Sequence, residues 1–380
     1  MTTSALRRRI PSWAVPTLRR ARDGALAVLW RIRKVRNRFF KPTVGLVGFF
    51  GWGNYGDELF LDVWKQELSG HFKLKVLPDL QSEPYFSRGL KRALRGVDVV
   101  LIGGGDLVIP WRISPVYWRK QYLTKPVFVA GVGVPTWGQP KPEVISWFRE
   151  YFNHPNMRYV HARDPESVAW IEQNLQPAAG VIEAPDLVCA LDLPHADRLQ
   201  PPLFGYVTRY RPPTATRPAP GEEEDIEYDH LRRATELMQS KGYKIRRIIL
   251  GTGKVGDADY KDAQRMQIPG EEVVYSQDCA DLSKAIGECS VFASMKFHGT
   301  VVATMYGVPS VVMMPTAKSR NFMRRIGRED LLSHYDKDAL LDNLARDPEP
   351  ISAESVAMLR ERAREQILRL RTAMKHAATH

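Results

Sequence analysis

Short apolar segments alternate with helical stretches along most of this 380-residue chain. In the first half the predicted strands cover residues 43–50, 73–77, 97–102, 127–134 and 157–162. In the second half they cover residues 204–208, 245–250, 291–294 and 310–314. Strands that alternate with helices form parallel sheets joined by crossover helices. The pattern therefore predicts an α/β protein with two Rossmann-like lobes facing each other across a cleft.

The chain divides into four predicted segments. They are a basic N-terminal arm (residues 1–41), an N-terminal lobe (42–200), a C-terminal lobe (201–335) and a C-terminal helical segment (336–380). Within the last segment, residues 353–375 form a long predicted helix that we expect to pack back across the first lobe. A Pro-rich and acidic stretch at 212–225 has the length of a functional or mobile loop.

The positive charge of the chain is concentrated in its N-terminal arm. The formal net charge is +12, and residues 1–41 contribute twelve Lys and Arg against one acid, Asp23. The remaining body is close to neutral, which argues against a nucleic-acid partner. The three cysteines, Cys189, Cys279 and Cys289, lack metal-ligand spacing. They indicate a reducing compartment without disulfides or structural zinc, and we expect a cytoplasmic protein.

The N-terminal arm has the pattern of an amphipathic helix. Between Leu18 and Phe39 apolar residues recur at helical spacing, and most basic residues fall on the other side. The longest uncharged apolar run, residues 25–30, is too short to span a bilayer. One hypothesis is a helix lying on an anionic membrane surface, at the inner face of the cytoplasmic membrane. The alternatives are a helix docked on the protein body, a disordered basic tail or an organellar targeting peptide.

The turn at residues 294–300 carries a lysine and a histidine. It follows the predicted strand 291–294 and precedes a short predicted helix that ends at Gly307. Lys296 and His298 thus lie at the carboxyl end of a strand and at a helix N-terminus, where α/β sheets bind ligands and anions are favoured. Because an imidazole titrates near neutrality, the turn predicts a phosphate or carboxylate site beside a proton donor.

The loop Gly51-Trp52-Gly53-Asn54-Tyr55-Gly56 fits the dinucleotide pattern G-x-G-x-x-G between a strand and a helix. Asp79, at the end of the next predicted strand, completes the pattern and supports a nicotinamide-dependent enzyme. However, Asp57 and Glu58 open the helix where a pyrophosphate would lie, and their charge opposes it. These acids either bind sugar hydroxyls or cap the helix.

Two further strand ends offer candidate site residues. Gly103-Gly104-Gly105-Asp106 allows a ligand or another backbone to approach closely. Arg163, followed by Asp164, presents a guanidinium to an anion or forms an internal pair with a carboxylate. Arg209 leaves the first strand of the second lobe, where it either binds an anion or is simply solvated.

Taken in order, these motifs resemble those of the polysaccharide pyruvyl transferases, over roughly residues 43–330. The matching elements are Gly51–Glu58, Gly103-Gly104-Gly105, Gly131–Pro135, Arg163-Asp164 with Ser167, Pro185-Asp186-Leu187, the Lys296–Gly299 turn with Gly307-Val308-Pro309, and the series Lys318, Phe322, Gly327. The family commonly has arginine where this chain has Lys296. Lysine keeps the positive charge but loses the bidentate geometry of a guanidinium.

The resemblance implies a GT-B-like fold, phosphoenolpyruvate as donor and a glycan or lipid-linked saccharide as acceptor, with a pyruvate ketal as product in cell-surface polysaccharide biosynthesis. No metal or other cofactor is expected. The predicted catalytic residues are His298 as general acid, Lys296 and Arg163. The predicted donor-binding residues are Lys296, Arg209, Arg163, Gly299 and Thr300. The predicted acceptor-binding residues are Asn54, Asp57, Gly104 and Asp106.

Three other functions stay open on the sequence. The first is a GT-B-like glycosyltransferase that uses a nucleotide sugar, the second is a non-catalytic carbohydrate-binding relative, and the third is the nicotinamide-dependent enzyme that the loop at residues 51–56 suggests. Lys296 in place of arginine leaves the second possibility open, whereas His298 counts against it.

Overall fold

The computed structural model describes residue 28 and residues 31–77, 90–209, 228–265 and 267–380. The predicted loop at 212–225, Asp79 and most of the N-terminal arm lie outside the described residues.

The first sheet has six parallel strands. They are β1 (Thr43–Val47), β2 (Lys73–Val76), β3 (Val99–Gly105), β4 (Val127–Val132), β5 (Met157–Ala162) and β6 (Ile182–Glu183), in the order β2-β1-β3-β4-β5-β6. Every residue of β4 is buried, as expected for a central strand that helices cover on both faces.

The second sheet has five parallel strands. They are β7 (Leu203–Val207), β8 (Lys244–Ile248), β9 (Glu271–Val274), β10 (Val291–Ser294) and β11 (Ser310–Val312), in the order β11-β10-β7-β8-β9. The predicted α/β class with parallel sheets is confirmed. The strands of the two sheets fall on either side of residue 200, while the exact domain limits stay a prediction.

Twelve helices connect and cover the strands within the described residues. They are α1 (31–39), α2 (Tyr55–Leu68), α3 (Leu90–Arg95), α4 (Pro142–Phe152), α5 (Pro165–Asn174), α6 (Asp229–Ser240), α7 (Gly253–Arg265), α8 (Cys279–Gly287), α9 (Phe297–Met305), α10 (Ala317–Arg325), α11 (Asp338–Ala345) and α12 (Ala353–Thr379). Short 3-10 helices span Lys120–Thr124, Leu187–Ala190 and Glu329–Leu331. No helix among the described residues is both long and apolar enough to cross a bilayer.

The C-terminal helix α12 packs on the first sheet, against β3, β4, β5 and the 3-10 helix Leu187–Ala190. Its buried residues include Leu359, Ala363, Ile367, Leu370, Met374 and Ala378. They recur every three or four positions and therefore form one apolar face. The last helix of the chain thus covers the first lobe.

Candidate active site between the two lobes

The predicted site residues lie where each sheet reverses its strand order. In the first sheet that point is between β1 and β3, and in the second it is between β7 and β10. Crossover helices leave such a point in opposite directions, so a crevice opens beyond the carboxyl ends of the strands. Asn54 lies in the loop after β1, and Asp57 lies in the first turn of α2; Asp106 follows β3. Arg209 follows β7, and His298 lies in the first turn of α9 after β10. Arg163 instead follows β5.

A cavity of about 550 Å³ opens between these loops. The predicted site residues that line it are Asn54, Arg209, Lys296, His298 and Thr300. Trp52, Lys254, Asp259 and Lys318 line it as well. The first lobe supplies an indole and an amide to this wall, and the second supplies most of the charged groups. The cavity therefore has a mixed polar and apolar lining, and its positive charge is concentrated on the side of the second lobe.

His298 is fixed by groups from the first lobe. Its Nε2 atom lies 3.4 Å from Oδ2 of the buried Asp186. Phe60 contacts the imidazole edge-on, with ring centroids 5.7 Å apart. A Cβ atom added at Gly56 would lie only 1.8 Å from Nδ1 of His298, so the first turn of α2 leaves room for the ring only because residue 56 is glycine. Helix α2 and Asp186 together set the orientation of this side chain.

Asp186 supports His298 as an anion. Burial opposes ionisation of this carboxyl group, but the charges of His298 and Arg163 and a hydrogen bond from the Val188 N–H outweigh it and lower the pKa to about 2. The carboxylate therefore stays charged across the neutral range. It links an imidazole of one lobe to a guanidinium of the other.

Lys296 does not offer a free ammonium to the cavity. Its Nζ donates a hydrogen bond of 2.7 Å to the carbonyl of Leu250 and forms an ion pair with Asp259 of α7. Burial lowers the pKa of Lys296, although Asp259 opposes that shift. The predicted role of Lys296 in donor binding stays a prediction, and its charge is already compensated by a neighbouring carboxylate.

Arg163 and Asp106 belong to a buried cluster next to the cavity. The Arg163 guanidinium is 2% exposed, pairs with Asp106 and lies 3.4 Å from Asp186. Lys318, from the other lobe, reaches Asp106 at 3.0 Å. The Phe297 ring packs against both cations, with Arg163 5.0 Å and Lys318 5.7 Å from its centroid. Of the two interpretations of Arg163, the geometry favours an internal pair, whose partners are Asp106 and Asp186 rather than Asp164.

The two acids that open α2 behave differently. Burial raises the pKa of Asp57 to about 8, with Glu58 and Asp106 adding to the shift and Lys318 and Arg163 opposing it. Asp57 is thus protonated at neutral pH. Glu58 instead accepts hydrogen bonds from the N–H groups of Gly51 and Gly53, at 2.7 and 3.0 Å. These are donors that a pyrophosphate would need, so the loop geometry counts against dinucleotide binding.

The other predicted residues have mixed placements. Arg209 is exposed and lines the cavity, and none of the described residues forms an ion pair with it. Asn54 is exposed and forms a β-bridge with Gly251 of the other lobe. Gly104 has a φ of +91° and packs on Phe60. Gly299 and Thr300 contact Ser294 and Ser310 respectively, so their part in donor binding stays a prediction.

Several residues of the site were not among the predicted site residues, and the charged ones are Asp186, Lys254, Asp259 and Lys318. Asp186 and Lys318 occur in the motifs of the family resemblance, but their spacing gave no reason to place them beside His298 and Asp106. Asp259 lies in a charged helix without any local motif. In the described part of the chain, no cluster of three or more His, Cys, Asp or Glu side chains could hold a metal ion.

Solved structures share the arrangement of the two lobes. UDP-N-acetylglucosamine 2-epimerase from Rickettsia bellii is 12% identical, with a TM-score of 0.55 over 87% of this chain and 95% of that chain. The enzyme from Methanocaldococcus jannaschii, solved with UDP-GlcNAc and UDP, is 11% identical, with a TM-score of 0.54 over 88% of this chain and 99% of that chain. The enzyme from Neisseria meningitidis, bound to UDP-GlcNAc, is 12% identical, with a TM-score of 0.52 over 87% of this chain and 99% of that chain.

At these identities the likeness concerns the fold, and it confirms a protein of the GT-B type. A sequence comparison with curated proteins gives no significant match. A family model described as polysaccharide pyruvyl transferase matches residues 54–315. Because the match covers more than half of the chain, the protein belongs to the polysaccharide pyruvyl transferase family. Membership of this family supports the interpretation of the protein as a transferase that modifies polysaccharides.

Proposed function

We propose that this protein transfers a pyruvyl group from phosphoenolpyruvate to two hydroxyls of a saccharide and forms a cyclic ketal. The observation that carries the proposal is the cavity between the lobes, where His298 lies among the cations Arg209, Lys254 and Lys318. Phosphoenolpyruvate bears a carboxylate and a phosphate on a small carbon frame. A site for it needs several fixed positive charges and one proton donor in a small volume.

The donor would lie on the side of the second lobe. Arg209 and Lys254 are exposed at the cavity wall, and Lys254 lies 5.1 Å from the centroid of the Trp52 ring. Lys318 faces the cavity beside its partner Asp106. We assign the donor phosphate and carboxylate to these three cations. Lys296 would act mainly by holding the turn, because Asp259 already neutralises its charge.

His298 would act as the general acid. It protonates the methylene carbon of phosphoenolpyruvate, and positive charge develops at C2. A saccharide hydroxyl attacks C2 and gives up its proton, which restores the acid. The C2–phosphate bond then breaks, a second hydroxyl attacks the same carbon, and its proton leaves with the phosphate. Asp186 supports these steps by fixing the imidazole through Nε2.

The acceptor would lie on the side of the first lobe. Asp57 keeps its proton at neutral pH, because its pKa is raised to about 8, and can donate a hydrogen bond to a sugar oxygen. Asp106 has a pKa below the ordinary value, because Arg163 and Lys318 outweigh its burial, and can accept one. The amide of Asn54 can both donate and accept a hydrogen bond. A polyol needs such a mixture of donors and acceptors.

The test is release of phosphate from phosphoenolpyruvate in the presence of a saccharide, with mass spectrometry of the product. We expect release only when an acceptor with a suitable hydroxyl pair is present, and a gain of one pyruvylidene group in the product. His298→Ala should lose at least about a hundredfold of the rate. His195→Ala is the matched control, since the His195 side chain is 87% exposed and is far from His298 in the sequence. Equal rates for the two variants would contradict the proposed acid.

A nucleotide-sugar enzyme is the outcome that would replace this proposal. Ligands that bind the folded state raise its melting temperature. Stabilisation by UDP-N-acetylglucosamine without stabilisation by phosphoenolpyruvate would show that the cavity serves a different donor.

We also propose that the N-terminal arm holds the protein on an anionic membrane, at the cytoplasmic face. The side of α1 toward the body is polar: Arg33 pairs with Asp98, and Asn37 donates a hydrogen bond of 3.2 Å to the carbonyl of Ala378. The apolar side chains of the arm that are more than half exposed are Val28, Ile32, Val35, Phe39 and Phe40. This exposure supports contact with lipid over docking of the apolar face on the body.

Sedimentation with vesicles tests the membrane proposal. We expect binding to vesicles of phosphatidylglycerol and phosphatidylcholine, weakened by salt because screening reduces the attraction of Lys and Arg to acidic lipid. The double variant Phe39→Ser/Phe40→Ser should bind less, whereas Val273→Ser, which alters an exposed apolar residue on β9, should bind as the wild type does. Equal binding of all three proteins would refute the proposal.

A further inference from the structure

Two tryptophans, the half-buried Trp111 and the exposed Trp137, form an aromatic pair beside the site, and the proposed chemistry does not use them. Trp137 follows β4 and is 81% exposed. The Trp111 ring lies edge-on to it, with ring centroids 4.5 Å apart and an angle of 63° between the planes. Of the large apolar side chains with described exposure, Trp137 is the most exposed.

Backbone contacts hold the loops of the pair in place. Gly138 lies flat against Trp111, because a Cβ atom at this position would approach the indole to 2.6 Å. The N–H of Lys141 donates a hydrogen bond of 2.9 Å to the carbonyl of Pro110, which ties together the two loops that carry the rings. A fixed pair of rings loses little conformational freedom when a ligand binds.

The loops of the pair continue directly into the candidate active site. Gly133 abuts the site: a Cβ atom there would lie 2.7 Å from Oδ1 of Asp106 and 2.9 Å from the Arg163 guanidinium. Trp137 is four residues further along, and four residues span at most about 14 Å. This distance is within the length of a short oligosaccharide whose end occupies the cleft.

A phenolic group and a guanidinium lie near the residues of the site and of the pair. Tyr117 is close enough to Asp57 and Arg112 for both to affect its pKa, which burial raises. Arg112 is exposed and directly follows Trp111 in the sequence. The phenol thus lies near the carboxyl group of Asp57 and near the guanidinium, and the guanidinium is next to one of the two indoles in the sequence. Hydrogen-bonding groups followed by an aromatic face match a chain of sugar rings, whose C–H faces are apolar and whose edges are hydroxyls.

We propose that Trp111 and Trp137 form a stacking platform for the acceptor saccharide, several rings away from the hydroxyls that receive the pyruvyl group. The inference rests on the proposed function for the identity of the acceptor. The platform would hold the polymer and contribute nothing to the chemical step. Its loss should therefore raise KM for long acceptors and leave kcat unchanged.

The test compares acceptor lengths. The probes are methyl hexopyranosides of gluco, galacto and manno configuration, and oligosaccharides of about four to six of the same rings. For Trp137→Ala we expect KM to rise about three- to tenfold with the oligosaccharides, the effect of losing one aromatic contact, and to stay unchanged with the one-ring acceptors and with phosphoenolpyruvate. Trp137→Phe should restore most of the affinity. Leu368→Ala, at a half-exposed apolar residue on α12, is the matched control.

Binding without the donor separates the two proposals. Oligosaccharide affinity can be measured by isothermal titration calorimetry in the absence of phosphoenolpyruvate. Affinity that depends on Trp137, without any pyruvyl transfer, would leave the platform standing and overturn the proposed donor. Equal affinities of wild type and Trp137→Ala for every length, including no measurable affinity at all, would overturn the platform. Loss of vesicle binding or of a dimer in Trp137→Ala, with unchanged saccharide affinity, would assign the pair to lipid or to a second copy instead.

Discussion

Replacing Gly56 by alanine gives the sharpest test of the role of His298. The added Cβ atom would lie 1.8 Å from Nδ1 and 2.5 Å from Cε1 of the imidazole, where real contacts are essentially never shorter than 3.0 Å. The backbone at residue 56 is in α2 and needs no left-handed conformation. The substitution therefore acts on the imidazole and leaves the helix intact, since alanine is a good helix former.

The size of the effect follows from this geometry. The ring must withdraw by roughly 1 Å or more to restore an ordinary contact, and a displacement of that size costs about a hundredfold in rate when the group takes part in catalysis. The overlap costs about 1–3 kcal/mol of folding free energy, and the gain in helix propensity offsets about 0.5–1 kcal/mol of it. We expect kcat/KM to fall about a hundredfold while the melting temperature falls by only a few degrees.

The assay is phosphate release with matched measurements of thermal unfolding. Gly70→Ala is the control, because an added Cβ atom there meets nothing within 4 Å. The double variant Gly56→Ala/His298→Ala adds a second check. Removing the imidazole makes room for the new methyl group, so the double variant should be no less active than His298→Ala alone and more stable than the sum of the single effects predicts.

Full activity of Gly56→Ala would refute the reasoning, since it would mean that His298 can move without consequence for the reaction. Additive losses of stability in the double variant would show that the two residues do not compete for the same space.

Three other substitutions test single charges. Burial raises the pKa of Asp57 from 3.8 to about 8. The protonated carboxyl group therefore contributes fully to the stability of the wild type below pH 3.8, and this contribution is lost as the pH rises through about 8. Asp57→Asn should gain thermal stability relative to the wild type between about pH 4 and about pH 9, and a difference that stays constant with pH would contradict this. The pKa shift of Asp186 has the opposite sign, since its pKa is lowered to about 2. Asp186→Asn should lower kcat about a hundredfold, because the imidazole of His298 loses its support. The variant should also lack the stability that the ionised carboxylate gives the wild type, which the wild type loses only as the pH falls below 3.8 toward 2. Lys296→Met should lower the unfolding free energy by about 3 kcal/mol, because it removes the cation of a buried ion pair with Asp259. A higher KM for phosphoenolpyruvate at unchanged stability would instead make Lys296 a donor ligand.

The sequence predicts most of the strands and misses two of the four edge strands, β6 and β9. The predicted ranges for β5 and β10 agree with the structure, because most residues of both strands are apolar and buried. The edge strand β9 was not predicted. It contains Glu271 and Glu272, which pair with arginines of β8 and leave no apolar run to recognise.

The site shows the same limit at the level of side chains. The strand-to-helix turn that carries His298 can be recognised locally, since its neighbours in sequence define it. The partners of the turn cannot, because Asp186, Asp259 and Lys318 approach only through the packing of separate elements. Lys296 illustrates the consequence: its sequence context suggested an anion ligand, whereas a carboxylate 37 residues away neutralises it. Local pattern fixes where a charged residue lies, and tertiary packing decides whether its charge is free.

The position of α12 has a consequence for how the protein is made. The last strand of the first sheet ends at Glu183, whereas the helix that covers this sheet begins at Ala353. At ordinary rates of synthesis these 170 residues take roughly 10–35 seconds to appear. During that time the apolar face that receives Leu359 and Ile367 has no cover. A ribosome stalled before α12 is made would therefore carry a first lobe with an exposed apolar surface. We expect chaperones to bind such nascent chains until α12 has left the ribosome.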